Sequence, residues 1–277
     1  SFAGAAPALQ AYRQGHTEEA KRLLLHYFRE RRNPRWYFDG RSAAGALDTS
    51  AYRFVFGDSL SSDDAFDKNV MAHADELVRH RFPGVVSFDL GERLDRFPFY
   101  DAREGERVGD LHKPLRVTAN RFTRMDFLMK LAIAYDRTGD SRYGAAFGRL
   151  LDAYMNRYIE QYPYVAEFGE SKEAYWFHFQ KTPIRTNLCV ARSVFVLIGL
   201  MHTALFYDED FVNPRLAFRT FRFLWYLMMY HRSYEASRFR PFNHHLYERG
   251  VLPFVIGTMF PEFPPLREMR EWGKRVI

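Results

Sequence analysis

The sequence predicts an all-α protein, and three observations support that prediction. Apolar residues recur at the three- and four-residue spacing of amphipathic helices in successive segments. The links between neighbouring segments are short, as in Thr138-Gly139-Asp140, and strand-like alternation is rare. Because short links favour antiparallel helix pairs, helical hairpins are the expected building unit.

The first strongly periodic segment covers residues 17–31. It places Ala20, Leu24 and Phe28 at helical spacing, and Thr17 followed by two glutamates suits a helix start. Acidic side chains in a first turn also interact favourably with the helix dipole. These features together predict an amphipathic helix.

The next part of the chain is less regular. Residues 33–63 are rich in Gly, Ser, Asp and aromatic side chains without a sustained period, and they predict an extended surface arm. A helix is expected over residues 64–80, before Phe82-Pro83-Gly84 stops it. Glycine and proline punctuate residues 85–115 so often that loops with a short hairpin are expected there.

The second half of the chain is dominated by predicted helices. They are expected over residues 126–137, 143–158, 186–207, 214–230 and 243–260. Pro253 should interrupt the last of them, since its ring would clash with the carbonyl of Arg249. We therefore expect a single helical domain over residues 1–277, with residues 1–115 contributing an N-terminal arm and a loop-rich region.

Composition and charge limit the classes of function. The chain has 277 residues, 47% hydrophobic and 27% charged, which is typical of a globular protein. Its net charge of +6 favours polyanionic partners, either nucleic acid or acidic polysaccharide. Arginines are mostly interleaved with acidic residues, so a solvated mixed-charge surface is the alternative interpretation. The longest apolar stretch, residues 194–207, is too short to predict a membrane span.

Several motifs together resemble one enzyme family. The run NHHLYE at residues 243–248, followed by FPEF at residues 260–263 and then Trp272, resembles the active-site helix of the heparinase II/III superfamily, nearest to its heparinase III branch. Upstream, NRF at residues 120–122 leads into LAIAYDRTGDSRY at residues 131–143, which resembles the same family's helical hairpin.

Weaker matches extend this resemblance over most of the chain. Trp176 with Thr186 and Arg192 is similar to a groove-lining helix of the family. The opening segment, residues 12–31, resembles the helix that precedes the family's toroid. The shared order of the motifs makes the combination more specific than any one of them.

The resemblance implies a fold and an activity. It implies an incomplete (α/α) toroid, followed in the family by a β-sandwich domain that a chain of 277 residues is too short to contain. It implies a lyase that cleaves heparan sulfate or a related acidic polysaccharide by β-elimination, without a cofactor, in the periplasm or outside the cell. A catalytic tyrosine is expected beyond Ile277, so this chain is expected to be truncated and catalytically incomplete alone.

The chemistry assigns roles to the residues of the NHHLYE run. Removal of the C5 proton of a uronide requires neutralisation of the adjacent carboxylate, and a preorganised amide can do this. By family position Asn243 has this role, while His244 is the candidate base or carboxylate-assisting group. Glu248 lies four residues after His244 and can orient its imidazole. His245 and Tyr247 are expected to contact substrate.

Arginines and an aromatic residue complete the expected substrate-binding set. Arg121, Arg124 and Arg192 are candidate bidentate partners for uronate or sulfate groups. Trp176 is a candidate for stacking on a sugar, as is Trp225, although aromatic residues at helical spacing are more often core. Structural ion pairs are the competing interpretation for Arg121 and Arg192.

Other functions remain open from the sequence. The Asn-His-His run also suits a helix N-cap with two surface imidazoles, and a metal site lacks a third ligand at diagnostic spacing, so none is predicted. An alginate or exopolysaccharide lyase and a non-catalytic polysaccharide-binding toroid are alternatives. A glycoside hydrolase would need two carboxylates across the groove, and Glu248 with Glu262 is the only pair to nominate. Glu262 is expected instead to fix a helix end.

Overall fold

The computed structural model divides the protein into two compact units. One comprises Ser1–Trp36 with Val212–Ile277, and the other comprises Tyr37–Phe211. The residues that the structure describes are 3–31, 33–34, 47, 63–84, 86–96, 118, 121–156, 187–235 and 246–277.

Helices dominate the described residues. In chain order they are α1 (Ala6–Arg13), α2 (Thr17–Glu30), α3 (Asp63–Val78), α4 (Asp126–Thr138), α5 (Ser141–Met155), α6 (Asn187–Leu200), α7 (Pro214–Glu235), α8 (Leu252–Met259) and α9 (Pro264–Val276). Short 3-10 turns cover Ala3–Ala5 and Ala204–Tyr207, and a π-helical turn covers Leu246–Val251. Within these described ranges, no helix has both the length and the apolarity needed to cross a membrane.

A two-stranded antiparallel sheet follows α3. Strand β1 (Arg81–Phe82) pairs with β2 (Phe88–Asp89) in the register Phe82 opposite Phe88. β2 lies in the segment of residues 85–115 for which a short hairpin was predicted, whereas β1 precedes it. Phe82 is buried and its ring meets that of Phe122 edge to face at 5.0 Å between centroids, so the strand pair is tied to the helical core.

The hairpin of α4 and α5 confirms the corresponding sequence prediction. Gly139 has φ 67°, a left-handed conformation that glycine adopts without steric cost, and it ends α4. Asp140 then caps α5 by accepting a hydrogen bond from the backbone N–H of Arg142 at 2.9 Å. The short Thr-Gly-Asp link therefore contains both the stop of one helix and the start of the next.

Close contact between α5 and a following loop is made possible by two glycines. A Cβ on Gly148 would lie 2.0 Å from the carbonyl oxygen of Phe211, and one on Gly144 would lie 2.6 Å from the Phe211 ring. Any side chain at either position would overlap Phe211. Tyr135 of α4 contacts the same ring at 5.5 Å, so Phe211 is held between α4 and α5.

In the unit that contains both chain ends, α2, α7 and α8 share an aromatic core. The ring of Phe28 lies 4.7 Å from that of Phe221 and 6.2 Å from that of Phe260. The helices α8 and α9 approach closely at Gly257, where a Cβ would lie 2.2 Å from the carbonyl oxygen of Leu266. Trp225 is half-buried and packs against Phe263 at 4.7 Å between ring centroids.

A buried ion pair joins α2 to the turn between α8 and α9. Glu262 Oε1 accepts hydrogen bonds from Arg31 at 2.5 Å and from the Tyr27 hydroxyl at 2.8 Å. The side chains of Arg31 and Glu262 are 8% and 13% exposed, and the Arg31 guanidinium also lies over the rings of Phe28 and Phe260. Glu262 was expected to fix a helix end; the structure instead shows its side chain in an ion pair with the residue that follows α2.

The described helices can be compared with the predicted ones at several points. Helix α6 ends at Leu200 rather than continuing to Tyr207, because Thr203 begins a separate 3-10 turn and its side chain accepts from Phe206 N–H. Pro253 was expected to interrupt the helix predicted over residues 243–260, and the described part of that segment does change beside it. The π-helical turn ends at Val251 and α8 begins at Leu252, with Pro253 in the first turn of α8. Helices α1 and α9 were not among the predicted helices.

Candidate functional site

A basic cleft of about 330 Å³ lies within the Tyr37–Phe211 unit. Its wall is formed by α3, β1, α4, α6 and the turn before α4. The lining residues are Phe66, Asn69, Val70, His73, Leu77, Phe82, Pro83, Arg121, Arg124, Asp126, Phe127, Lys130 and Arg192. The cleft is therefore lined by apolar side chains together with a group of polar and charged ones, the combination that binding sites for small ligands use.

Helical spacing explains how α3 and α4 supply several of these groups. Asn69 and His73 are four residues apart on α3, so they share one face. Asp126 and Lys130 have the same separation on α4 and also share a face. Packing of α3 against α4 brings the two polar faces to one cleft.

The turn that carries Arg124 is held in an unusual conformation. Met125 has φ 62° and ψ 11°, a left-handed conformation that costs a non-glycine residue about 1–2 kcal/mol. Its side chain is fully buried, and the carbonyl of the neighbouring Thr123 accepts a hydrogen bond from Ser193 of α6 at 2.7 Å. Burial of Met125 and this hydrogen bond fix the turn, and Arg124 and Asp126 flank its left-handed residue.

The charges of the cleft are unbalanced. Four cationic side chains line it, Arg121, Arg124, Lys130 and Arg192, and among the described lining residues Asp126 is the only carboxylate. Among the described lining residues, cationic side chains therefore outnumber carboxylates by four to one. Such a cleft attracts anions and binds them more strongly than an open surface does, because its walls exclude part of the water.

Two polar atoms of this cleft are buried without a hydrogen-bond partner. They are Nε of Arg124 and Oδ1 of Asp126, and both belong to the described lining. Asp126 as a residue is half-buried, but its Oδ1 is shielded from solvent. A buried donor and a buried acceptor that remain unsatisfied each cost about 1–3 kcal/mol, so a ligand that satisfies them would bind favourably.

Burial also changes how Asp126 titrates. Desolvation raises the pKa of the Asp126 carboxyl to about 6, and the positive charges of Arg192, Arg124, Lys130 and Arg121 oppose that rise without cancelling it. The carboxyl is therefore ionised at neutral pH and becomes protonated in mildly acidic solution. Protonation removes this negative charge from the cleft.

His73 has the opposite tendency. Burial lowers the pKa of His73 to about 4, and the positive charges of Lys130 and Arg121 add to the effect, so the imidazole is neutral at physiological pH. Lys130 Nζ donates a hydrogen bond to Nδ1 of His73. Because an ammonium group has only donors, Nδ1 must accept and Nε2 must carry the proton of the neutral ring.

The structure brings together three of the residues predicted from the sequence. Arg121, Arg124 and Arg192 lie at the same cleft, although they come from two separate segments of the chain. Sequence reasoning missed His73, Asp126, Lys130 and Asn69. The four-residue spacing of Asp126 and Lys130 was visible, but only the packing of α3 and α4 shows that it faces a cleft.

The remaining predicted site residues are not tested by the structure. Trp176, Asn243, His244 and His245 lie outside the described residues. For Tyr247 and Glu248 the structure describes the backbone alone, as part of the π-helical turn Leu246–Val251. Their catalytic and substrate-binding roles stay predictions.

Comparison with known proteins identifies the class to which this fold and cleft belong. A family model described as Heparinase II/III N-terminus matches residues 3–277. The chain therefore belongs to the heparinase II/III family and covers its N-terminal region. The motif resemblance found in the sequence is confirmed.

Solved structures support the same assignment at the level of fold. A heparan sulfate lyase HepC mutant from Pedobacter heparinus superposes with a TM-score of 0.62 at 20% identity, over 99% of this chain and 36% of that one. A heparinase III gene product with methylated lysines gives a TM-score of 0.59 at 20% identity, over 98% of this chain and 37% of that one. The all-α class and the incomplete helical toroid are confirmed.

The comparisons also show the extent of the match. This chain spans little more than a third of the length of the lyases to which it is similar. A search among curated protein sequences gives no significant match.

Proposed function

We propose that the complete protein is a polysaccharide lyase that cleaves uronic-acid-containing glycosaminoglycans of the heparan sulfate type by β-elimination to 4,5-unsaturated uronides. Membership of the heparinase II/III family and the fold shared with heparan sulfate lyases support this proposal. The observation that carries it is the basic cleft, where three arginines selected from the sequence meet. Periplasmic or secreted localisation goes with this proposal, since such polysaccharides lie outside the cytoplasm.

The basic cleft has the charge that this substrate requires. A heparan-type chain carries carboxylates and sulfates at short intervals, and guanidinium groups match both in planar, bidentate geometry. Arg121 is exposed, whereas Arg124 and Arg192 are half-buried. In this proposal Arg121 attracts the chain at the cleft entrance, and the deeper arginines bind individual acid groups.

Asn243 and His244 provide the chemistry in this proposal. The Asn243 amide donates to the uronate carboxylate and stabilises the charge that develops when C5 loses its proton. His244 assists that proton transfer, with Glu248 orienting its ring. One preorganised donor of this type is worth on the order of 10²–10³ in kcat, so its removal should be readily measured.

The direct test replaces Asn243 with alanine in the complete protein. We expect Asn243→Ala to lower the rate of unsaturated product formation, followed by ultraviolet absorbance on heparan sulfate, by at least about 100-fold. Unchanged circular dichroism and melting temperature would show that the variant is folded. Asn156→Ala, at the end of α5, is the matched control and should keep full activity. A folded Asn243→Ala variant with near-normal activity would contradict the assignment.

A panel of acidic polysaccharides separates the proposed substrate from its alternatives. Unsaturated product from heparan sulfate but not from alginate supports the glycosaminoglycan assignment. Product from alginate alone would indicate an alginate or exopolysaccharide lyase of the same fold. Binding without product from any member of the panel would indicate a non-catalytic polysaccharide-binding protein and would overturn the lyase proposal.

A further inference from the structure

We propose that the basic cleft binds one oxyanion of an acidic saccharide, a sulfate ester or a carboxylate, through Arg124, and that Asp126 takes up a proton as the anion binds. This inference rests on the proposed function for the identity of the saccharide. It adds a ligand-linked proton to the cleft and gives Asp126, which neither the family match nor the sequence motifs assign, a role in setting affinity.

The unsatisfied atoms of the cleft define what the ligand must offer. Nε of Arg124 is a buried donor without an acceptor, and an oxyanion supplies that acceptor. Oδ1 of Asp126 is a buried acceptor without a donor, and an ionised carboxylate would repel an arriving anion. Protonation of Asp126 removes the repulsion, because the carboxyl group becomes neutral. It also provides a hydrogen bond, because a carboxylic acid has an O–H that can donate to an oxygen of the anion. One proton leaves the solvent and binds to Asp126, and no covalent bond of the ligand changes.

The surroundings of Asp126 favour this exchange. The titratable or charged groups that face the cleft are His73 from α3, Lys130 from α4, Arg192 from α6, and Arg121 and Arg124 from the turn before α4. Protonation of Asp126 removes the one carboxylate charge among the described lining residues, so the repulsion of an arriving anion is lost. Since the free carboxyl has a pKa of about 6, it needs little additional stabilisation of its protonated form at neutral pH.

His73 is not the group that takes up the proton near neutral pH. Its pKa of about 4 lies well below that of Asp126, and its Nδ1 already accepts from Lys130. An anion would have to raise the pKa of His73 by about two units before half of the rings were protonated at pH 6. The two residues can therefore be distinguished by the pH at which protons are bound.

Calorimetry on the complete protein tests the proposal. Inorganic sulfate and acetate serve as probes of the two oxyanion types, titrated at pH 5.5, 6.5 and 7.5 in pairs of buffers that differ in ionisation enthalpy. We expect affinity for at least one probe to fall by up to about 20-fold from pH 5.5 to 7.5, with proton uptake on binding at pH 6.5. Binding of both probes without pH dependence or proton uptake would overturn the proposal, and so would no binding of either.

Three substitutions identify the residue that takes up the proton. Asp126→Asn should abolish both the pH dependence and the proton uptake, whereas Asp152→Asn, an exposed aspartate on α5, should leave both unchanged. His73→Gln should retain the proton uptake at pH 6.5. If Asp126→Asn does not fold, the wild-type and His73→Gln measurements still decide, because loss of uptake in His73→Gln would assign the proton to the histidine and overturn the proposal.

The calorimetric result is independent of catalysis. Sulfate or acetate binding with proton uptake, together with absence of unsaturated product from every polysaccharide, would support the oxyanion site and contradict the lyase. Lyase activity together with pH-independent anion binding would support the lyase and contradict the proton-linked oxyanion site.

Discussion

Two regions of the molecule contain buried or half-buried arginines, and they differ in how those arginines are paired. Arg31 shares Glu262 Oε1 with the Tyr27 hydroxyl, and its guanidinium also lies over two phenylalanine rings. Arg124 lies at a cleft where cations outnumber carboxylates, and its Nε has no partner. The first region has the contacts of a structural ion pair, although Glu262 Oε2 is itself buried without a hydrogen-bond partner. In the second region the guanidinium Nε of Arg124 is a buried donor without an acceptor.

This difference separates buried charges that are matched within the protein from buried charges that are not. A charge that is matched within the protein contributes to the folded state, and its loss leaves the partner uncompensated. A charge that is left unmatched lowers the stability of the folded state and is retained where it binds something. The two kinds of arginine should therefore respond oppositely to substitution.

The largest effect is expected at the paired site. Glu262→Ala leaves Arg31 buried without its carboxylate, so we expect a loss of about 3 kcal/mol in the free energy of unfolding. Sulfate affinity should stay within twofold of the wild type. Glu268→Ala removes the partner of Arg232 in an exposed pair and should cost at most about 1 kcal/mol. Denaturant unfolding measures both, and equal losses in the two variants would contradict the structural role of the buried pair.

A smaller effect with the opposite pattern is expected at the cleft. Arg124→Ala removes the buried donor, and we expect sulfate affinity to fall by at least about tenfold, since a hydrogen bond to a charged group is worth about 1.5–3 kcal/mol. The melting temperature should stay the same or rise, because one of four like charges is removed. A lower melting temperature with unchanged affinity would place Arg124 with the structural arginines.

The smallest effect is expected at the entrance to the cleft. Arg121 is exposed, so its interaction with an anion is screened by water and salt. We expect Arg121→Ala to weaken sulfate binding about two- to threefold in 50 mM salt and to have no measurable effect in 500 mM salt. Calorimetry at the two ionic strengths measures this, and a loss that persists in high salt would indicate a direct, desolvated contact.

Local sequence signals predicted the parts of the fold that local interactions determine. The hairpin of α4 and α5 was predicted from apolar spacing and from Gly139 and Asp140, which end one helix and cap the next. The predicted end of α6 was wrong. The apolar pattern continues to Tyr207, so it does not indicate the turn that begins at Thr203. Periodicity records which residues are buried, not where hydrogen bonding changes.

The cleft was predictable only in part. Arg121, Arg124 and Arg192 were selected because motifs resemble those of one family, and the structure places all three at one cleft. His73 was missed since nothing in its local sequence shows that α3 packs against α4. Asp126 was missed for a related reason: its importance comes from burial among four cations, which no linear spacing reveals.

A crystal structure of the complete protein with a sulfated, uronate-containing disaccharide tests the central claim most directly. We predict a sulfate or carboxylate oxygen within about 3 Å of Arg124 Nε, with a second oxygen of the same group facing Asp126. A disaccharide bound elsewhere, with Arg124 still lacking an acceptor, would contradict the account.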